Sequence, residues 1–93
     1  MIRVEWDKEK NEILKQERNL CFEDVERVIL EKKILDIVPH FNQEKYPNQS
    51  IMIVKLNGYI CYVPFIKDAE KLFLKSIIPS RKYNKMYNKK ESK

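Results

Sequence analysis

Asn57-Gly58 separates two runs, IMIVKL and YICYVPF, that are dense in β-branched and aromatic residues. A two-residue connection between paired strands needs positive φ at both positions, and Asn-Gly supplies that more readily than other dipeptides. Gly58 is also the only glycine in the chain. The pair fixes a central β-hairpin, and the rest of the 93 residues must be arranged around it.

On the N-terminal side, Ile2 to Trp6 alternates bulky residues with Arg3 and Glu5, the pattern of a first strand. Asp7 is placed to cap a helix over KEKNEILKQERN, whose apolar face is narrow (Ile13, Leu14), and Asn19 to stop it. A helix that polar is mostly exposed or awaits a partner. FEDVERVILEKK is the better amphipathic helix: Phe22, Val25, Val28 and Ile29 share a face, with acids in the first turn and Lys32 and Lys33 in the last. ILDIV then reads as a strand. After the central hairpin, KDAEK turns the chain into a last strand, LFLKSIIP. Pro64 cannot donate to a ladder and predicts a bulge or an unpaired stretch. Ser80 is placed to cap a final helix over RKYNKMYNK, with Tyr83 and Tyr87 on one side. The order is β-α-α-β-β-β-β-α. It predicts one α+β domain over 1–93: an antiparallel sheet, two N-terminal helices on one face, and a C-terminal helix. Trp6, Tyr59, Tyr62, Phe65 and Phe73 are read as core.

The chain is 43% hydrophobic and 35% charged, a globular balance, and no apolar run approaches the roughly 20 residues of a membrane span. The opening MIRVEWDKEKNE has no apolar signal core, so the expected location is the cytoplasm. Cys21 and Cys61 stand apart, without metal-ligand spacing, and are expected reduced and packed; neither a metal nor a cofactor is expected. Residues 1–80 carry thirteen basic and thirteen acidic side chains, so the whole net charge of +5 lies in the last 13 residues. Such a patch suits a phosphate backbone or an acidic partner. The plain alternative is a solvated tail, and that is the reading for 88–93.

VEWDKEKNEILKQERNLCFEDV resembles the opening of BrnT-type toxins: an aromatic-Trp-Asp strand end, a helix containing Lys and Asn, a short turn, and a Phe-Glu-Glu/Asp helix start. SIIPSRKYNKMY is similar to that family's last strand, which ends in a small residue and an arginine before a basic, tyrosine-containing helix. The resemblance implies a RelE-like fold and a metal-independent endoribonuclease that inhibits translation as the toxin of a type II toxin–antitoxin pair. Its implied partner is a protein antitoxin, often DNA-binding, in a complex that represses its own operon. One departure limits the transfer: where relatives have Lys-His-Gly after the first helix, this chain has Glu17-Arg18-Asn19. No role of that histidine carries over. Arg81 is the position that transfers.

Cleaving RNA without a metal needs a base for the ribose 2′-hydroxyl, cations for the phosphate, and an acid for the departing 5′-oxygen. The chain has no Ser/His/Asp order and no glycine-rich phosphate loop. Its stiffened connection VPHFNQEKYPNQS (38–50) holds the only histidine, His40, a side-chain type whose unperturbed pKa lies near neutrality and which can act as base or acid. Lys45 and Tyr46 follow, able to move a proton, orient a phosphate or stack on a base. Arg81 opens the last helix, where free N–H groups already favour an anion, and its planar fork can hold two phosphate oxygens. The catalytic candidates are therefore Arg81, His40, Lys45 and Tyr46. Lys75, Lys82 and Lys85 are the RNA-binding candidates, with Lys75 expected on the side of Arg81 by strand parity. The alternative is a non-catalytic module that uses the basic end to hold nucleic acid or an acidic protein. The plain alternative is a structural hydrogen-bonder for His40, a β-hairpin connection stiffened by Pro39 and Pro47 for Lys45 and Tyr46, and a surface arginine paired with a nearby acid for Arg81.

Overall fold

The computed structural model describes the backbone of residues 2–91 and the side chains through Tyr87. Its elements are β1 (Arg3–Trp6), α1 (Lys8–Arg18), α2 (Phe22–Leu30), β2 (Asp36–Pro39), β3 (Gln49–Leu56), β4 (Tyr59–Asp68), β5 (Lys71–Leu74), β6 (Ile78–Pro79) and α3 (Arg81–Glu91). The fold is α+β: three helices and one six-stranded sheet, ordered β1-β5-β4-β3-β2, with β6 also on β4.

Asn57 (φ 52°) and Gly58 (φ 80°) form the two-residue turn between β3 and β4, and the ladder there runs from Leu56–Tyr59 to Gln49–Ile66. β2, β3, β4 and β5 form the expected antiparallel meander. The sheet as a whole is not antiparallel. β1 lies beside β5 and parallel to it, Arg3 opposite Lys71 and Trp6 opposite Leu74. The two N-terminal helices carry the chain back across the sheet, so β1 enters β5's edge in β5's own direction.

The last strand is also not continuous. Phe65 pairs with Leu74 and Tyr62 with Ile78, so Val63 and Pro64 on β4 oppose Lys75, Ser76 and Ile77. That is a bulge, and Pro64 sits in it without an N–H to give; its carbonyl accepts from the Lys75 N–H at 2.8 Å. Because of the extra residue, Ile77 joins Leu72 and Leu74 in one core cluster. On an unbroken strand it would face away from them.

One face of the sheet (Met52, Val54, Leu56, Cys61, Val63, Phe65) packs against Leu14, Leu20, Phe22 and Val25, so both N-terminal helices cover the same face. On the other face, Ile51, Ile53 and Ile60 pack with Val38, Tyr62, Tyr83 and Tyr87, which seats α3 there. Asp7 caps α1 through the Lys10 N–H at 3.0 Å, and Asn19 ends it in the left-handed region. α2 stops at Leu30 rather than running to Lys33. The Lys33 N–H donates to the Val28 carbonyl and the Lys32 N–H to that of Ile29, a Schellman close with Lys32 at φ 58° where glycine is usual.

Three core expectations need correcting, the first being Phe73, which is only half-buried and belongs to neither core cluster. Ile13 is 46% exposed, and the residue that α1 buries beside Leu14 is Asn11. Its Oδ1 accepts the Phe22 N–H at 2.8 Å and its Nδ2 donates to Glu23 Oε1 at 2.9 Å. Cys21, the residue at the α2 cap position, gives no side-chain cap of its own. Asn11 thus caps α2 from another helix. Tyr59 is exposed, not core, at the sheet's end beside the hairpin turn. Trp6 stacks on Phe22, ring centroids 5.7 Å apart. Ile34 and Leu35 precede β2 rather than belonging to it. Residues 88–91, read as tail, continue α3; 92 and 93 lie outside the described residues.

Candidate nucleic-acid interface

β2 ends at Pro39, and the His40 N–H donates to the Gln49 carbonyl at 3.3 Å, closing the connection at its base. Asn42 organises what lies between. Its N–H donates to His40 Nδ1 (3.0 Å), its Oδ1 accepts the Lys45 N–H (3.1 Å), and its carbonyl accepts the Tyr46 N–H (3.0 Å). Gln43 Nε2 donates to the His40 carbonyl at 2.8 Å. The segment is a hydrogen-bonded turn, with the side chains of His40, Lys45 and Tyr46 gathered on it. The His40 and Tyr46 rings lie 4.6 Å apart, and Lys45 Nζ is 5.4 Å from the Tyr46 ring centre.

The bond to Nδ1 fixes what His40 can do. A nitrogen that accepts has no proton, so the neutral ring carries its hydrogen on Nε2. His40 therefore donates at Nε2, and can take up a proton only at Nδ1, where Asn42 must let go.

Phe41 links this turn to α3. Its ring meets Tyr62 of β4 edge-on (5.2 Å, 68°) and lies nearly parallel to Tyr83 of α3 (6.3 Å, 18°), which in turn neighbours Tyr87 at 6.4 Å. The loop and the start of the last helix consequently share one face of the sheet. Neither Phe41 nor Asn42 was singled out from the sequence. The available signal was an aromatic beside the histidine in an otherwise polar connection, which does not say where the aromatic points.

Ser80 and Asn84 fix the start of α3. Ser80 Oγ accepts the Tyr83 N–H at 3.1 Å, capping the helix as expected. The Ser80 N–H donates to the Ile60 carbonyl (3.0 Å), and the Ile60 N–H donates to Asn84 Oδ1 (3.1 Å), so both groups that Ile60 turns toward α3 are used. Arg81, Lys82 and Lys85 are exposed on this anchored turn. Lys82 Nζ lies 5.9 Å from the Tyr83 ring centre, and Arg81 and Lys85 are four apart and so on one side. The first turn contains no acid. Cations at a helix N-terminus oppose the macrodipole, a local conflict that a bound anion relieves.

Lys75 does not join this group by the route expected. The bulge at 75–77 breaks the parity that was to carry its side over to Arg81; its ammonium instead lies over the Phe73 ring, at 5.2 Å. On the opposite face of the sheet, burial pushes the Cys61 thiol up to about 11. Arg18 donates to the Ile77 carbonyl at 2.9 Å, across the bulge from α1. Among the described residues no group of three His, Cys, Asp or Glu side chains is placed to hold a metal ion, and no helix is long and apolar enough to cross a membrane. No family model, no curated protein and no solved structure matches this chain.

Proposed function

We propose that this protein binds RNA and cleaves it as a metal-independent endoribonuclease, the toxin of a type II toxin–antitoxin pair with a RelE/BrnT-like fold. The observation that carries the reading is the Phe41–Tyr83 contact, which draws the loop of His40, Lys45 and Tyr46 onto the face where Arg81 and Lys82 open α3. In this reading Arg81 grips the scissile phosphate with its fork, and Lys82 and Lys85 hold flanking phosphates. His40 donates from Nε2 to a phosphate oxygen. Tyr46 then takes the proton of the 2′-hydroxyl as that oxygen attacks phosphorus, and the Lys45 ammonium gives one to the departing 5′-oxygen. A cognate antitoxin, DNA-binding and autoregulating with its toxin, would cover the basic surface in the cytoplasm.

Total RNA incubated with the protein in EDTA should be cut, and Arg81→Ala should reduce cutting at least 100-fold, about 2.7 kcal/mol of transition-state stabilisation, with the fold unchanged. Equal cutting by that variant refutes the role of Arg81. A second reading is a nucleic-acid-binding module without turnover. It is favoured by the openness of the surface at Phe41, which is 56% exposed. That reading predicts retention of intact RNA, weakening steeply with salt.

A further inference from the structure

Phe41 combines two properties that rarely occur together. It is 56% exposed, yet its ring is held in place by Tyr62 on one side and Tyr83 on the other. Those two rings rest in turn on Ile51, Ile53 and Ile60, all fully buried. Leu30 and Ile37 are also more than half exposed, but they are aliphatic and offer no ring face. An exposed ring already ordered before binding loses little freedom when something lies on it.

The surroundings say what that something is. Cations alternate with rings along this surface: Lys45 at Tyr46 and Lys82 at Tyr83. Glu44 lies within the turn, and the charge of Asp36 reaches Tyr87. Aromatic faces interleaved with positive charge fit a strand whose bases and phosphates alternate in the same way. A duplex cannot use the ring, because its bases already stack on each other.

We propose that Phe41 is the stacking platform for an unpaired base of a single-stranded RNA, with the phosphates on either side of that base held by Lys45 and by Lys82. This rests on the nucleic-acid reading above and adds the form of the substrate. Stacking is indifferent to base identity, so the platform selects for single-strandedness rather than sequence.

The test uses a 2′-O-methyl RNA, which has no 2′-hydroxyl and so cannot be cut by that route, carrying a terminal fluorescein and one internal 2-aminopurine. Anisotropy reports binding, and quenching of 2-aminopurine reports stacking. The full-length protein should bind the single strand and quench it, and should bind the matching duplex at least tenfold more weakly. Phe41→Leu, which keeps apolar volume, should weaken binding about tenfold or more and abolish quenching at saturation. Phe41→Trp should keep both, with thermal melts showing that each variant is folded. Arg81→Ala should lose affinity but still quench when saturated. Binding without quenching, or a folded Phe41→Leu protein that quenches like the parent, overturns the platform and leaves the nucleic-acid reading standing. Equal affinity for duplex also overturns it. If no RNA binds at all, both fall.

Discussion

Asn11→Ala removes the one oxygen that receives the Phe22 N–H, in a place where Phe22 is fully buried and Cys21 offers no cap. A buried donor left without its acceptor costs about 1–3 kcal/mol. The Asn11–Glu23 bond is lost as well, but the Glu23 side chain is 49% exposed, so water replaces most of what it gave. Alanine returns about 0.5 kcal/mol of helix propensity within α1. The net expectation is a destabilisation of about 2 kcal/mol, which in a domain of this size lowers Tm by about 8 °C or more. Urea unfolding followed by far-UV circular dichroism measures it, with the slope unchanged if only stability has moved. Asn11→Asp keeps an oxygen for the Phe22 N–H while facing Glu23 with a second carboxylate, and should recover part of the loss. A change below about 0.5 kcal/mol for Asn11→Ala would refute the idea that α1 caps α2 and show that water can serve the N–H instead.

Ala69 turns β4 into β5 at φ 53°, where a side chain costs about 1–2 kcal/mol that glycine does not incur. Ala69→Gly should therefore stabilise the fold by about 0.5–1 kcal/mol after glycine's larger unfolded-state entropy is subtracted; a lower urea midpoint would contradict this. The Glu23 carboxyl is held below the usual range, first by its bond from Asn11. The stability it contributes is present above the unfolded carboxylate pKa and lost as pH falls through the lower folded value, so acid titration of Asn11→Ala should show a shallower decline than the parent. Burial raises the Cys61 thiol from 9.0 to about 11, so its contribution to stability should be constant below pH 9 and lost between 9 and 11 as only the unfolded thiol ionises. Native Cys61 should accordingly resist a thiol reagent at pH 8 that modifies it at once in denaturant, and equal rates in the two conditions would count against its burial.

What could be read from the chain itself was whatever neighbouring residues enforce on each other. Asn57-Gly58 sets its own positive φ, Asp7 and Ser80 reach N–H groups three residues on, Asn19 tolerates the left-handed stop, and Pro64 lacks a donor wherever it is placed. These are local constraints acting within a few residues of chain, so they depend little on the tertiary arrangement. The meander and the helices' shared face followed from them, because short connections leave few alternatives.

Choices among distant partners were not legible. β1 takes the edge of β5 because Val4 and Trp6 find the helix-side core there, and nothing within Ile2 to Trp6 names that strand or its direction. One extra residue opposite Pro64 turns Ile77 inward and undoes a parity that counting along the sequence had supported. Asn11 reads as a polar residue on a polar helix until Phe22 arrives with an unpaired N–H. The proposed site has the same character. His40, Lys45, Tyr46 and Arg81 carry their chemistry in any fold, but only packing on the far face of the sheet brings Phe41 against Tyr62 and Tyr83, and the loop with it toward α3.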